Sequence, residues 1–219
     1  MAPTPVDPDR FAQLEGLEDW RYHLGAIHSD FRAGSFPAAA NLAERIAAAA
    51  EQAVHHPDIT ILYPDRVRVT LTTHEIGGLS ELDVDLAREV SRLSSAAGAT
   101  CEPTASQSIE VTIDVTDIEA CAPFWAAVMG GYRRVGDRLL VDPLRSGPTI
   151  FFQKMDVPRP QRSRMHIDVS VPHDTAEARV AAAIEAGGRL LDDSHARAFW
   201  VLADPEGNEA CVCTWQDRN

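Results

Sequence analysis

Hydrophobic positions recur along this chain in two rhythms, and the changes between them mark its elements. After Ser35-Phe36-Pro37, a hydroxyl followed by a first-turn proline, an alanine-rich run places Leu42, Ile46, Ala49 and Ala53 on one face. That spacing predicts a helix ending near Val54. The rhythm then shortens to two: Ile59-Thr60-Ile61 and Arg66 to Thr73 read as strands joined around the turn dipeptide Pro64-Asp65. In the second strand Val67, Val69, Leu71 and Thr73 share one face, and Arg68, Thr70, Thr72 and His74 share the other. Gly77-Gly78 releases the chain into a further helix with Ser80 as N-cap, Asp83 three residues on, and Leu82, Leu86, Val90 and Leu93 as its apolar stripe.

The small polar stretch Pro103-Thr104-Ala105-Ser106-Gln107 predicts a linker at 103–107, between one domain at 1–102 and another at 108–219. In the second, Ile109, Val111, Ile113 and Val115 alternate with Glu110, Thr112 and Asp114, and Asp117 opens a helix that ends at Met129-Gly130-Gly131. Strands follow at Arg138 to Val141 and Thr149 to Lys154. The order then returns as a strand from Met165 to Val171, a helix from Thr175 to Ala186, and strands from Phe199 to Leu202 and Glu209 to Thr214. Such a repeat predicts two β-rich modules that close one curved sheet around a cleft, since neither buries enough surface alone. The fold class expected is α+β: a small antiparallel sheet with helices, followed by a duplicated βαβββ unit.

Composition narrows the function classes. The chain has 219 residues, 45% hydrophobic, enough for one large or two small cored domains. With 33 acidic against 20 basic residues and a net charge of -13, no basic stripe exists to hold phosphates, so nucleic acid is not an expected partner. The start Met1-Ala2-Pro3-Thr4-Pro5 lacks the apolar core of a signal peptide, and no run approaches the roughly 20 apolar residues of a spanning helix. A cytoplasmic protein without a membrane partner is expected. Cys101, Cys121, Cys211 and Cys213 include no Cys-x-x-Cys and read as buried free thiols.

The candidate chemistry lies in His55-His56-Pro57-Asp58 and Thr72-Thr73-His74-Glu75, which gather three imidazoles on a small domain. Imidazole titrates near neutrality and moves protons in both directions, so the cluster points to acid–base catalysis. Other roles for the same residues stay open. Paired histidines also cap a helix end, and three of them with a carboxylate offer zinc ligands, although adjacent histidines make that geometry awkward. Asp83 either caps its helix or orients an imidazole, Glu51 is otherwise a solvated helix residue, and the threonines also favour a strand for its own sake.

From Trp20 to about Gly98 the chain resembles the pterin-4a-carbinolamine dehydratase family. The likeness rests on Phe31 and Phe36, Glu51 four residues before His55-His56-Pro57-Asp58, Thr72-Thr73-His74, Gly78-Leu79 and Asp83. It implies a hydro-lyase that takes 4a-hydroxytetrahydropterin to the quinonoid dihydropterin with no metal and no cofactor. On that resemblance His55 and His74 are the acid–base pair, His56 binds and polarises the pterin, and Asp83 orients an imidazole. Glu51, Pro57, Asp58, Thr72 and Thr73 form the substrate-binding surroundings. A homodimer or homotetramer is implied as well.

From about Ser108 to Trp215 the repeat resembles the glyoxalase-like, vicinal-oxygen-chelate superfamily, through Met165-His166-Ile167-Asp168 and Asp204-Pro205-Glu206-Gly207-Asn208-Glu209. Metal-using members draw four ligands, usually His, Glu or Gln, from the first and last strands of both modules. Here Glu110 and His166 stand at the first-strand positions, but Phe151 or Gln153 and Cys211 stand at the last, with Glu209 two residues early. The expectation is therefore a cleft at Glu110, His166 and Cys211 that binds a ligand without metal, or a structural domain. The competing expectation for the whole chain is a small-molecule binding protein, or a metal-dependent lyase or dioxygenase centred on this cleft.

Overall fold

A computed structural model describes residues 3–158 and 165–217. Met1 and Ala2 of the amino-terminal segment considered above lie outside them. The chain divides between Ser108 and Ile109 into two compact units, each with its own apolar core.

In the first unit a short helix α1 (Pro8–Phe11) precedes strands β1 (Arg21–His23) and β2 (Ala26–Arg32). Helix α2 (Phe36–Ala53) starts as its sequence predicts, with the Ser35 hydroxyl accepting from Ala38 N, and stops at Val54, which adopts the left-handed conformation. Strands β3 (Asp58–Leu62) and β4 (Arg66–Leu71) form the expected hairpin, then helix α3 (Glu81–Ala96) and a two-residue strand β5 (Thr100–Cys101) complete the unit. The sheet is antiparallel in the order β1-β2-β4-β3, with β5 also pairing β2. Both long helices cover one of its faces, where Ile27, Phe31, Val67, Val69 and Leu71 meet Leu42, Ile46, Val84, Ala87 and Val90.

Three expectations change here. Strand β2, central to the sheet, is not apparent in the sequence because Ser29 and Asp30 interrupt the apolar alternation, yet both are buried. Asp30 accepts from Arg68 Nε at 3.1 Å and lies 3.4 Å from Arg66 Nη1, so the charge on the far face is paired across the ladder. Strand β4 ends at Leu71, short of His74, because Thr73 and Gly78 exchange backbone hydrogen bonds and close a turn. In α3 the buried stripe is Val84, Leu86, Ala87, Val90 and Leu93, whereas Leu82 is 41% exposed, since Asp83 takes the inward position beside it.

The second unit repeats one pattern. Strand β6 (Glu110–Val115) leads to helix α4 (Ile118–Val128), then β7 (Arg133–Val135), β8 (Leu139–Val141) and β9 (Thr149–Lys154). Strand β10 (Ile167–Ser170) leads to helix α5 (Ala176–Glu185), then β11 (Arg189–Asp192), β12 (Phe199–Ala203) and β13 (Glu209–Cys213). Each module is a βαβββ unit whose first and last strands pair in parallel. The edge strands β7 and β11 are wholly exposed, which explains why no hydrophobic alternation announces them. Among the described residues the modules form two four-stranded sheets, not the single curved sheet expected. They are joined by a common core in which Phe124, Trp125 and Val128 of α4 meet Ala176, Val180 and Ala183 of α5.

None of the four cysteines forms a disulfide; Cys121, Cys211 and Cys213 are buried and Cys101 is half-buried. Burial pushes the Cys101 thiol up to about 11. Among the described residues no helix is long and apolar enough to cross a membrane.

Candidate active site

The end of α2 sets the position of the first histidine. Val54, at φ 52°, caps the helix by donating its N–H to Ala50 O and Glu51 O, and His55 N donates to Ala50 O at 3.1 Å. This reversal turns His55 away from the helix axis, and Pro57 prevents a helical restart. The His55 side chain is 10% exposed and its Nε2 lies 2.7 Å from Oδ1 of Asp83.

Asp83 is fully buried and its two oxygens do different work. Oδ2 accepts from Ser80 N at 2.8 Å and from the Thr73 hydroxyl at 2.6 Å, while the Ser80 hydroxyl accepts from Leu82 N at 3.2 Å. That is the capping box predicted for α3. Oδ1, pointing the other way, holds His55. The two roles left open for Asp83 are compatible, because one carboxylate has lone pairs for both. Through Thr73 the same carboxylate ties the end of α2 to the turn that carries His74, although His55 and Thr73 lie 18 residues apart in sequence.

The remaining candidate residues divide into two groups. His56 Nε2 meets Glu51 Oε2 at 3.0 Å with both side chains largely exposed, and His74 is exposed in the turn after Thr73. Pro57 is half-buried and Asp58 begins β3 opposite Thr70. The threonine hydroxyls point inward: Thr72 donates to Gly25 O at 2.9 Å, and Thr73 is engaged by Asp83 and by Ser80 at 2.6 Å. The Thr73–Asp83 bond has no sequence signal beyond the spacing, since it depends on how tightly the Thr73–Gly78 turn folds back.

In the second unit a cleft of about 480 Å³ is lined by His166, Asp168, His195, Phe199, Cys211 and Asp217 among others. It brings together His166 and Cys211 but not Glu110, which is exposed where β6 begins, opposite Thr149. His166 Nε2 lies 3.3 Å from Asp168 Oδ1, and burial, followed by the nearby Asp168 carboxylate, pushes the Cys211 thiol up to about 12. The four-ligand metal set of the superfamily does not fit these residues, because Glu110 is outside the cleft, and of the two candidates on β9 Phe151 offers no donor while Gln153 is exposed near the strand's end and outside the cleft as well. The sequence singles out neither His195 nor Asp217, and Asp168, part of the Met165 to Asp168 motif, gains a place in the cleft only once the register sets it beside Cys211.

Known proteins resemble the two units separately. The family model described as Pterin 4 alpha carbinolamine dehydratase matches residues 4–93, and that described as Glyoxalase-like domain matches residues 110–213. A Nocardia farcinica protein provisionally named pterin-4-alpha-carbinolamine dehydratase is 48% identical over 80 residues, 36% of this chain and 83% of the relative. A Chloroflexus aurantiacus protein of the same provisional name is 44% identical over 81 residues, 37% of this chain and 86% of the relative. A crystal structure of a transcriptional coactivator/pterin dehydratase from Brucella melitensis aligns with TM-score 0.38 and 30% identity, covering 41% of this chain and 97% of that one. A glyoxalase/bleomycin resistance protein/dioxygenase family enzyme from Burkholderia phytofirmans aligns with TM-score 0.41 and 20% identity, covering 48% of this chain and 95% of that one. Through its first unit the chain belongs to the pterin-4-alpha-carbinolamine dehydratase family, and it carries a glyoxalase-like domain after it.

Proposed function

We propose that the first unit dehydrates 4a-hydroxytetrahydropterin to the quinonoid dihydropterin by histidine acid–base catalysis. The bond from C4a to the hydroxyl oxygen breaks, the electron pair of the N5–H bond closes the N5–C4a double bond, and the hydroxyl leaves as water after gaining a proton. One group must supply that proton and another must take the N5 proton, so net proton balance is zero. His55 and His74 are assigned this exchange, with His56 binding and polarising the pterin. Glu51, Pro57, Asp58 and the backbone at Thr72 and Thr73 line the polar edge of the substrate.

The observation that carries this reading is the buried Asp83 carboxylate, 2.7 Å from His55 Nε2 and 2.6 Å from the Thr73 hydroxyl. An acceptor fixed on one ring nitrogen sets the tautomer and aims the other nitrogen outward, where a substrate reaches it. Dehydration measured on the full chain, with His55→Ala and His74→Ala compared, tests the assignment. Each substitution should lower kcat by about 10²-fold or more, and wild-type rates from both variants in folded protein would remove the basis for it. The second unit is assigned an accessory role for a separate ligand. A cytoplasmic homodimer or homotetramer completes the proposal, and light scattering of the purified chain reads its assembly directly.

A further inference from the structure

We propose that the Thr73 hydroxyl, backed by that of Ser80, is a positioning group for both members of the acid–base pair, an inference that rests on the dehydratase reading of His55 and His74. Thr73 ends the inward row that begins with Val67, Val69 and Leu71, three side chains fully buried in the core. Valine, of nearly the same shape, would continue that row with a strand-favouring side chain. Thr73 is itself only 4% exposed, so its hydroxyl must find partners inside the protein.

Those partners give its hydrogen bonds a forced direction. Carboxylate oxygens only accept, so the one hydroxyl proton of Thr73 goes to Asp83 Oδ2 at 2.6 Å. The Thr73 oxygen then accepts from the Ser80 hydroxyl, also at 2.6 Å, and the Ser80 oxygen accepts from Leu82 N at 3.2 Å. A one-way chain thus runs from the first turn of α3 to the carboxylate that holds His55. The capping box does not require it, because Ser80 N already supplies Oδ2 at 2.8 Å and Leu82 N already supplies the Ser80 oxygen. What the Thr73 bond adds is a tie between two separate places. Oδ1 of the same carboxylate fixes His55, and the Thr73 backbone exchanges hydrogen bonds with Gly78 to close the turn that carries His74. One hydroxyl therefore sets both the rotation of the carboxylate and the separation of acid from base.

Ser80 is poorly placed to take over this bond. Its Oγ lies 3.5 Å from Asp83 Oδ2, beyond the reach of a good O–H···O bond. Closing that gap takes a loss of the Leu82 N bond or a shift of the Ser80 backbone. The amino-terminal segment pins that backbone on either side, where Val6 N donates to Leu79 O at 2.8 Å and Glu81 N donates to Thr4 O at 3.0 Å. Val6 is buried in the core and anchors the segment in turn.

The test measures kcat and KM for dehydration by the full chain. Thr73→Val should lower kcat by about 10- to 100-fold with KM changed by less than about 3-fold, the loss expected when a reacting group is displaced by about 1 Å. Thr73→Ser keeps the hydroxyl and should stay within about 3-fold of the wild-type kcat. Ser80→Ala should lower kcat less than Thr73→Val, and combining the two should cost no more than Thr73→Val alone, because the second hydroxyl acts through the first. Val90→Ala, two turns further along α3, should lower the urea midpoint and leave kcat unchanged. A second readout needs no substrate: the proton on His55 Nε2, downfield and slow to exchange in the NMR spectrum of the wild type, should be lost to solvent exchange in Thr73→Val and persist in Thr73→Ser. Either wild-type kcat or an unchanged His55 proton in Thr73→Val overturns the proposal, as does an equal fall in kcat for Thr73→Val and Thr73→Ser. A wild-type chain that does not dehydrate the pterin, but whose His55 proton is lost on Thr73→Val, removes the dehydratase reading and upholds the positioning of His55.

Discussion

Asp83→Asn and Asp83→Ala separate the two jobs of one carboxylate. In Asp83→Ala the helix loses its capping box, worth about 1 kcal/mol. The Thr73 hydroxyl, Ser80 N and His55 Nε2 lose an acceptor that was fully buried, at 2.6, 2.8 and 2.7 Å. Hydrogen bonds to a charged group contribute about 1.5–3 kcal/mol each, but they share the cost of desolvating that charge, so the expected loss is about 3–5 kcal/mol. That is a large share of the stability of a domain this size. In Asp83→Asn the amide oxygen still accepts from Ser80 N and Thr73, so the loss should be about 1–2 kcal/mol. The amide nitrogen then faces His55 as a donor, which forces Nε2 to accept and moves the ring proton to Nδ1, the wrong tautomer for the outward nitrogen. Both variants should therefore lose about 10²–10⁴-fold in dehydration rate, while only the alanine variant is severely destabilised. Urea denaturation and steady-state dehydration on the same preparations provide the two readouts. An asparagine variant that keeps near-wild-type kcat would show that Asp83 serves the helix alone, and the proposed positioning of His55 would be refuted.

Three further outcomes are expected. His28, stacked on His23 with ring centroids 3.9 Å apart, has its pKa lowered from 6.5 to about 4 by burial first and then by the neighbouring His23 and Arg68. The unfolded chain takes up this proton near pH 6.5 and the folded chain only near 4, so its stabilising contribution is complete above 6.5 and is lost as pH falls between them. About 1.4 kcal/mol per decade of proton affinity bounds the effect near about 3 kcal/mol, and partial solvent access reduces it to about 2 kcal/mol; urea midpoints at pH 7 and 4.5 should show the fall, and His28→Gln should flatten it. Gly188→Ala should destabilise the second unit by about 3 kcal/mol, because the new methyl would sit 2.6 Å from Phe124 Cε2 and 2.7 Å from the Ala183 carbonyl oxygen; calorimetry showing an unshifted transition would contradict that packing. His56→Ala should change stability by less than about 0.5 kcal/mol, since it and Glu51 are 62% and 81% exposed. Its kinetic effect should fall on KM, and a fall in kcat at constant KM would instead place His56 in the proton transfer.

Much of this architecture is legible from residue patterns, and the exceptions share a cause. Helix α2 carries a serine cap, a first-turn proline and an apolar stripe, and strand β9 is bounded from Thr149 to Lys154 as its sequence indicates. Strand β2 escapes notice because Asp30 is neutralised by arginines from another strand, a compensation that no local window contains. Strands β7 and β11 escape because nothing in them is buried. The same division holds at the candidate sites. The histidine, Ser80 and Asp83 spacings can be read in one dimension, whereas the Thr73 hydroxyl on Asp83 and the approach of Asp168 to Cys211 depend on register and on the closing of a turn. Apolar periodicity locates elements, and it leaves unstated which polar atoms the folded chain will bring face to face.

The loop between β12 and β13 gives the second unit a mechanical property of its own. Glu206 takes hydrogen bonds from Thr116 N and Asp117 N at the mouth of α4, and Asp204 receives the indole N–H of Trp125 from inside that helix at 3.0 Å. One strand connection from the later half thus closes the start of the earlier half's helix and grips its middle, as a buckle holds a strap. Neither half is a free-standing piece, so the unit must melt as one body, and insertions between Asp204 and Asn208 would loosen both halves together.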